Sequence, residues 1–281
     1  MPTNQYGDNP GIAAPESGAS ANPKFSIITS TFNVGDALAT TARSLSAQTC
    51  QSFEWLIVDG ASTDETLTVV RECGGLVSTL ISERDTGIYN AWNKLLPRLR
   101  GQWVLFLGAG DALYAADTLE KVANALSRLP TETTTVCGDV TLFDAATGVD
   151  LRISSPNWRG LRGPWGGGRP KMPYHQGVFQ RASVFEGFRF DERCRISADS
   201  EIVLRELLAE RGAKLDVMVA RFDMSGVSSQ PRNRLRMVSE FVYINWKVGI
   251  FHVRPIYQVT VLAVNALLHP WRVWRARQLQ R

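Results

Sequence analysis

The sequence predicts an α/β fold with a mostly parallel central sheet flanked by helices. Two observations lead to this prediction: β-rich runs alternate with helical runs from Phe25 onward, and a polar cluster containing glycine follows each of the first strands. Strands and helices in this alternation require right-handed crossovers, which place successive strands in one sheet. Of the 281 residues, 44% are apolar and 21% are charged, so the chain can bury a sizeable core.

The individual elements are predicted from periodicity and from their boundary residues. The predicted strands are Phe25–Thr31, Phe53–Val58, Val77–Ser82, Trp103–Leu107 and Thr134–Phe143. The predicted helices run from Asp36 to about Gln48, onward from Thr63, and over Gly87–Leu99, Thr118–Leu129 and Ala198–Arg211. Trp103–Leu107 is apolar throughout and lies between two glycines, which is typical of a strand covered on both faces.

Composition divides the chain into three parts. Residues 1–22 are rich in Pro, Gly, Ala, Ser and Asn, which predicts a disordered leader. Residues 23–230 form the predicted domain, which includes a long irregular loop over 155–173. Residues 231–281 form a predicted amphipathic helical extension that closes with interleaved Trp and Arg.

Charge and cysteine content limit the classes of partner. The net charge of +4 permits an anionic partner such as a nucleotide, but the basic residues are scattered, so no nucleic-acid partner is expected. The four cysteines contain no C-x-x-C pair and have no histidine at zinc spacing. Together with a start that lacks a basic, apolar signal segment, this predicts reduced thiols in a cytoplasmic protein.

Four polar clusters mark one edge of the predicted sheet. They are TFNVGD, VDGASTD, SERDTG and LGAGD, and each directly follows a predicted strand. Ligands of parallel sheets bind beyond the carboxyl ends of the strands, where these clusters would meet. The sequence therefore predicts a binding site at this edge.

Two of the clusters carry carboxylates suited to nucleotide binding. Asp59 ends a buried strand, where it could accept hydrogen bonds from a base or ribose, or simply cap a turn. Asp85 precedes a helix that carries Tyr89, Asn90 and Asn93. These four form a candidate polar site beside a helix N-terminus, although a capped helix also explains the pattern.

Two further aspartates are candidates for chemistry. Asp111 follows the most apolar strand, and a magnesium or manganese ion needs only one or two such carboxylates. Asp199 begins a helix, where it could act as a base or as a cap. His175 and Gln176 follow the glycine-rich loop and are weaker candidates for the acceptor or diphosphate side of the site.

These motifs resemble those of a known family. SIITSTFN, EWLIVDGASTDET, ISERDTGIYNAWNK, WVLFLGAGD, YHQGVF, ISADSEIVLR and SGVSS occur in the order and spacing of a family 2 glycosyltransferase with the GT-A fold. The resemblance covers residues 25–230 and is to the branch that builds bacterial exopolysaccharides and O-antigens. It implies a nucleoside-diphosphate sugar as donor, and a lipid-linked or glycan acceptor.

The resemblance also implies roles for individual residues. Thr31 and Asn33 would lie near the base and ribose, Asp59 against the base, and Asp85 at the nucleotide or sugar. Asp111 matches the last carboxylate of the D-x-D-like motif and would bind Mg²⁺ or Mn²⁺. Asp199 matches the catalytic base, which would deprotonate an acceptor hydroxyl that attacks the anomeric carbon with inversion.

The sequence departs from the family pattern at two positions. Gly108-Ala109-Gly110-Asp111 lacks the first D-x-D carboxylate, which makes metal dependence less certain, and Gly60 replaces a second aspartate found in many members. A catalytically silent nucleotide-sugar-binding or scaffold subunit is the competing hypothesis. An NAD-type oxidoreductase is disfavoured, because TFNVGD contains no G-x-G-x-x-G cradle.

The predicted extension over residues 231–281 suggests where in the cell the protein acts. Residues 237–251 are amphipathic, and Val259–Leu268 is apolar but shorter than the ~20 residues that span a bilayer. Trp and Arg beside it favour a helix at a membrane interface, at the cytoplasmic face of the bacterial inner membrane. The alternative is a helix packed on the domain with an exposed basic end.

Overall fold

The computed structural model describes residues 22–144, 147–155, 172–224 and 233–250. The predicted leader, most of the loop over 155–173, the SGVSS motif and the part of the extension beyond residue 250 lie outside these ranges.

The first half of the chain forms the predicted parallel sheet. β1 (Phe25–Thr31), β2 (Phe53–Asp59), β3 (Val77–Ser82) and β4 (Trp103–Phe106) pair in parallel in the order β3-β2-β1-β4. The register aligns Thr31 with Asp59 and Asp59 with Ser82, so the carboxyl ends of β1, β2 and β3 are level. The α/β prediction is confirmed.

The second half extends this sheet with mixed pairing. It contributes β5 (Ala112–Leu113), β6 (Thr135–Asp144), β7 (Val149–Ser154), β8 (Val178–Arg181) and β9 (Gly212–Asp223). β8 joins β4 to β6 by antiparallel pairing on both sides, and β9 runs parallel to β6. β7 and β5 pair antiparallel with β6 and β9, respectively. Of these five strands, the sequence predicted only β6.

The helices begin near their predicted starts and end earlier. They are α1 (Gly35–Ser46), α2 (Thr66–Glu72), α3 (Ile88–Leu95), α4 (Thr118–Leu126), α5 (Asp199–Leu208) and α6 (Arg234–Lys247). α3 gives way to a 3-10 turn over Leu96–Arg98, because Pro97 cannot continue an α-helix. Within α3, Ile88 is exposed, whereas Trp92 and Leu95 are buried.

Two apolar layers cover the two faces of the sheet. Alternate residues of each central strand enter opposite layers: Phe25 and Ile27 enter one, and Ile28 enters the other. α1, α2 and α4 pack on the first layer, and α3, α5 and α6 pack on the second. Helices on both faces hold the loops at the carboxyl ends of the strands in place.

α6 belongs to the packed body of the molecule. Ile244 and Ile250 are buried in the second apolar layer, so the start of the extension packs on the domain. Leu235 and Trp246 face outward and are 83% and 65% exposed. Within the described ranges, no helix is long and apolar enough to cross a bilayer.

Candidate active site

Asp59 lies at the carboxyl edge of the sheet and is fully buried. Its Oδ1 accepts hydrogen bonds from the hydroxyls of Thr31 (3.0 Å) and Ser62 (2.5 Å). Its Oδ2 accepts from the Ser62 amide (2.9 Å) and the Ser82 hydroxyl (2.8 Å). These four bonds use the acceptor positions of the carboxylate. Asp59 therefore joins the ends of three strands and fixes the loop after β2.

Asn33 faces Asp59 across this loop and is exposed. It adopts a left-handed backbone with φ 52°, which asparagine tolerates better than most residues. Its amide donates to the Ser62 hydroxyl (2.8 Å), and its side-chain oxygen accepts from the Thr63 amide (2.9 Å). Asp59, Thr31 and Asn33 thus belong to one network, with Asn33 at its surface.

Gly60 explains how Asp85 approaches this network. A Cβ at Gly60 would lie 2.8 Å from Asp85 Oδ2, so a larger residue there would require the Asp85 side chain to shift. The Oδ1 of Asp85 accepts from the Gly87 amide at 2.9 Å. Gly87 itself has φ 139°, and a Cβ there would meet the Arg195 guanidinium. The glycine at position 60 thus lets Asp85 lie close to the loop after β2.

Asn90 and Asn93 contact protein groups rather than the edge of the sheet. Asn93 is buried, exchanges hydrogen bonds with the backbone of Phe190 (2.8 and 2.9 Å), and donates to Glu192 (2.9 Å). Asn90 also donates to Glu192 at 2.9 Å. These bonds tie α3 to the segment that leads to α5. The two asparagines position the site in this structure.

Asp199 occupies the first position of α5. Its Oδ1 accepts a 2.8 Å hydrogen bond from the Tyr89 hydroxyl, and its Oδ2 lies 3.5 Å from His175 Nδ1. The Asp199 side chain remains 24% exposed, so solvent or a substrate reaches it. Burial, followed by the Asp199 charge, raises the pKa of Tyr89 well above its ordinary value, which keeps the hydroxyl a donor.

His175 lies beside Asp199 and packs on α3. Burial lowers the pKa of His175, although the neighbouring Asp199 charge opposes that effect. Its ring packs edge-on to Trp92 with centroids 6.0 Å apart. The direction of this pKa shift favours the uncharged imidazole next to the Asp199 carboxyl group.

Asp111 lies in the loop between β4 and β5 and is buried. Its Oδ2 accepts from the Gly108 amide (3.1 Å) and from Gln176 Nε2 (3.0 Å), and its Oδ1 accepts from the Asp223 amide (3.1 Å). Burial raises its pKa to about 7 against these three bonds, and the charge of Asp223 adds to the rise. Burial therefore disfavours the charged form of the Asp111 carboxyl group.

One turn connects Asp111 and Asp199, the two aspartates that are candidates for metal binding and for base catalysis. His175 and Gln176 are consecutive residues of a 3-10 turn, His175–Gly177, and they approach Asp199 and Asp111, respectively. Gln176 is buried, and its Oε1 has no hydrogen-bond partner among the described residues. A buried acceptor without a partner is costly, so this atom suits a donor group supplied by a ligand.

A divalent cation fits the donor set around Asp111. Asp111 and Asp223 can supply hard carboxylate oxygens, and a cation beside Asp111 would oppose the effect of burial on its pKa. The described residues contain no group of three or more His, Cys, Asp or Glu arranged to hold a metal ion. A cation here would thus take its remaining ligands from phosphate oxygens and water.

Comparison with known sequences identifies the family. The sequence model described as "Glycosyl transferase family 2" matches residues 26–185, more than half of the chain. The chain belongs to this family. A PGL/p-HBAD biosynthesis glycosyltransferase of Mycobacterium bovis is 36% identical over 196 residues, which cover 66% of this chain and 70% of that protein. A putative teichuronic acid biosynthesis glycosyltransferase of Bacillus subtilis, TuaG, is 32% identical over 102 residues, covering 35% of this chain and 40% of its own length.

Solved structures agree on the fold. TarS of S. aureus, in complex with UDP, superposes with a TM-score of 0.60 at 18% identity, covering 88% of this chain and 71% of TarS. The mannosyltransferase PcManGT of Pyrobaculum calidifontis, in complex with GDP-Man and Mn²⁺, gives 0.59 at 20% identity, covering 92% and 74%. The family 2 chain has the GT-A fold and is a nucleotide-sugar-dependent glycosyltransferase, as the sequence motifs predicted.

Several residues of the site were missed by the sequence analysis. Asp223 ends β9 beside Asp111, and Ser62 and Ser82 complete the Asp59 network. A carboxylate that directly follows a strand was the signal used for Asp59 and Asp111. Asp223 fits it equally well, but β9 was not among the predicted strands.

Proposed function

We propose that this family 2 enzyme is an inverting transferase that moves one sugar from a nucleoside-diphosphate sugar to an acceptor hydroxyl. One observation carries the proposal: Asp111 and Asp199 approach the two consecutive residues of a single turn, Gln176 and His175. A carboxylate that can hold a cation and a second carboxylate that can act as a base, one at each residue of this turn, suit a reaction that releases an anion and a proton.

The network at Asp59 supports binding of the donor nucleotide. Asp59, with all four acceptor positions in use, holds the loop that presents Asn33 and the backbone around Ser62. Asp85 lies next to that loop at Gly60 and faces the same edge. We assign base and ribose recognition to Asn33 and Asp85, with Thr31 and Asp59 as the groups that position them.

A divalent cation, Mg²⁺ or Mn²⁺, would supply the positive charge that stabilises the departing diphosphate. Asp111 and Asp223 would hold it, and the unpartnered oxygen of Gln176 would accept from a donor group of the bound substrate. The GDP-Man and Mn²⁺ complex of PcManGT, which has the same fold, is consistent with this proposal.

Asp199 would act as the base. Its carboxylate takes the proton of the acceptor hydroxyl as that oxygen attacks the anomeric carbon from the face opposite the diphosphate. The bond from that carbon to the diphosphate oxygen breaks, and the nucleoside diphosphate leaves with the electron pair. Tyr89 donates to Asp199 and holds it in place, while His175, whose pKa is lowered by burial, lies beside the other carboxylate oxygen.

The relatives suggest the acceptor class. One is named for glycolipid biosynthesis and another for teichuronic acid biosynthesis, both bacterial envelope products. We therefore propose a lipid-linked or glycan acceptor in bacterial surface polysaccharide or glycolipid synthesis, used by a cytoplasmic enzyme that binds the inner membrane peripherally through residues 251–281.

The test proceeds in two steps. UDP-, GDP- and dTDP-sugars are screened by thermal shift with and without Mn²⁺, because a ligand that binds the folded state raises Tm. The stabilising donor is then incubated with glycolipid acceptors, and the anomeric configuration of the product is determined by NMR. Inversion is expected, and a product of retained configuration would refute the mechanism. Stabilisation without transfer to any acceptor would favour the silent-subunit hypothesis.

A further inference from the structure

We infer that Glu240 on α6 is a positioning residue for the reaction, because its carboxylate holds the segment that sets the place of Asp199. This inference rests on the proposed role of Asp199 as the base. Glu240 was not a candidate from the sequence, since it lies 41 positions beyond Asp199 in the predicted extension.

Three consecutive backbone amides donate to this one carboxylate. The amide of Arg195 donates to Oε1 at 2.8 Å, and those of Ile196 and Ser197 donate to Oε2 at 2.9 and 3.0 Å. Glu240 is 7% exposed, so these bonds form away from bulk water. Hydrogen bonds from amides to a buried charged acceptor are short and strong, and they fix the orientation of all three peptide groups.

The fixed segment leads directly into the turn that carries Asp199. The Ser197 carbonyl accepts from the amide and hydroxyl of Ser200, at 3.1 and 2.5 Å, which closes the first turn of α5. Ser197 is thus held at two points: its amide donates to Glu240, and its carbonyl oxygen accepts from Ser200. Asp199 lies inside this short loop, so its backbone position follows from the Glu240 contacts.

The same face of α6 contacts both sides of that segment. Tyr243 and Lys247 follow Glu240 at spacings of three and seven residues, and they contact Asp191 (2.7 Å) and Glu201 (2.6 Å), respectively. These partners lie before and after Asp199 in the sequence. A helix that merely covered the apolar layer through Ile244 would have no need of this row of polar contacts.

A positioning role for Glu240 predicts different effects on the rate of transfer and on the affinity for the donor. Glu240 contacts none of the residues assigned to the donor, which lie at the ends of β1, β2 and β3. Loss of its carboxylate should therefore lower the rate of transfer without weakening the donor complex. Displacements of about 1 Å at a reacting group reduce rates by about 100-fold.

The variants are Glu240→Gln, Glu240→Asp and, as a control, Glu206→Gln. Glutamine replaces one of the two acceptor oxygens with a donor, whereas aspartate keeps both oxygens on a shorter side chain. Glu206 is a half-buried carboxylate on α5 itself, but it contacts Thr134 and Arg211 at the far end of the helix. All variants are made in the full chain.

Three quantities are measured: donor affinity by calorimetry, kcat and KM for transfer, and hydrogen exchange of the amides of residues 195–199. For Glu240→Gln we expect faster exchange, a kcat lower by about 10- to 100-fold, and unchanged donor affinity. Glu240→Asp should recover part of kcat, and Glu206→Gln should match the wild type in all three.

The possible failures can be told apart. Faster exchange with unchanged kcat, unchanged exchange, or a loss of donor affinity equal to the loss of rate would each overturn the role of Glu240. If Glu240→Gln does not fold at all, Glu240→Asp decides by the same three measurements. A wild-type protein that binds donor but transfers no sugar would instead refute the proposed function, while the exchange data would still report on the contact.

Discussion

The surroundings of Asp111 strongly disturb its ionisation. Burial raises its pKa to about 7, although three hydrogen bonds from Gly108, Gln176 and Asp223 oppose the rise. A cation bound to Asp111 and Asp223 would reverse the effect by favouring the charged form. The proposed metal site can therefore be tested through proton binding, independently of catalysis.

The contribution of Asp111 to the stability of the ligand-free protein should fall as pH rises from 3.8 to about 7. Because the pKa of Asp111 is higher in the folded state than the ordinary 3.8, the folded state binds more protons between these values, and stability decreases with pH there. Each tenfold change in proton affinity is worth about 1.4 kcal/mol. The free energy of unfolding, measured by denaturant titration at pH 5 and pH 8, should fall more in wild type than in Asp111→Asn.

Manganese supplies the companion measurement. Mn²⁺ should stabilise the wild type more at pH 8 than at pH 6, since the carboxylate is then charged, and should not stabilise Asp111→Asn. Equal pH dependence in the two proteins, together with equal manganese effects, would remove Asp111 from the metal site.

Tyr89 has a predicted role in donor binding and a different role in the structure. Its hydroxyl donates to Asp199, and its ring stacks on Phe190, so Tyr89→Phe removes the bond and keeps the packing. A hydrogen bond to a charged group is worth about 1.5–3 kcal/mol, so kcat should fall by about 10- to 100-fold. Steady-state kinetics and calorimetry separate the two roles. A weaker donor complex with unchanged kcat would restore the original assignment.

At the scale of elements, α1 anchors the loop that carries Asp111. The buried Thr41 hydroxyl donates to the carbonyl oxygen of Asp111 (2.7 Å), lies 3.1 Å from the carbonyl oxygen of Gly108, and accepts from the Gly110 amide (3.0 Å). Gly110 adopts φ 98°, a conformation that L side chains rarely take. The loop that carries Asp111 thus owes its shape to one side chain of α1.

Thr41→Val should destabilise the protein and weaken its response to manganese. The substitution keeps the shape of the side chain but leaves the Gly110 amide and the Asp111 carbonyl without the Thr41 hydroxyl as a partner, at a cost of about 1–3 kcal/mol. Thermal unfolding with and without Mn²⁺ measures both effects. Ser46→Ala serves as the control, because that exposed hydroxyl contacts only the Arg43 carbonyl of its own helix. A Thr41→Val protein with the wild-type manganese response would contradict the anchoring role.

At the scale of the whole molecule, the parallel half of the fold was predicted, whereas β6 was the one strand predicted in the mixed half. β1 to β4 are short runs rich in apolar and β-branched residues and bounded by turn residues, which a sequence displays directly. β8 is short. β7 alternates apolar and polar residues along Val149–Ser154, so its pattern was visible in the sequence, although all of its residues but Ser154 are exposed. β9 contains Lys214, Asp216 and Arg221 within a strand that pairs across a register shift. Such strands are defined by their neighbours in the sheet.

The site was predictable to a similar extent. Asp59, Asp85 and Asp111 follow strands that local sequence reveals, and the family motifs marked Asp199. The contacts that bring Gln176 to Asp111, Glu240 to Ser197 and Asp223 to Asp111 join residues distant in the chain. Sequence spacing contains no information on these contacts, since they depend on how β8, β9 and α6 pack.

The packing of α6 determines where the chain can be truncated in order to test the extension. A truncation after Leu235 would remove Glu240 and the buried Ile244, so it would damage the domain itself. A truncation after Ile250 keeps α6 and removes the apolar and Trp/Arg-rich segment. We expect this variant to keep its kcat toward a water-soluble acceptor and to lose flotation with anionic phospholipid vesicles. Flotation equal to that of the full chain would refute interfacial attachment by residues 251–281.

The central claim is that the donor and the base act at one site, with Asp199 taking the acceptor proton. Asp199→Asn keeps the size of the side chain and its contact with Tyr89 but cannot accept a proton at neutral pH. The decisive measurement is therefore donor affinity and kcat for this one variant, determined on the same preparation. The account predicts wild-type donor affinity with kcat lower by about 100- to 10,000-fold. Turnover equal to that of the wild type would contradict it.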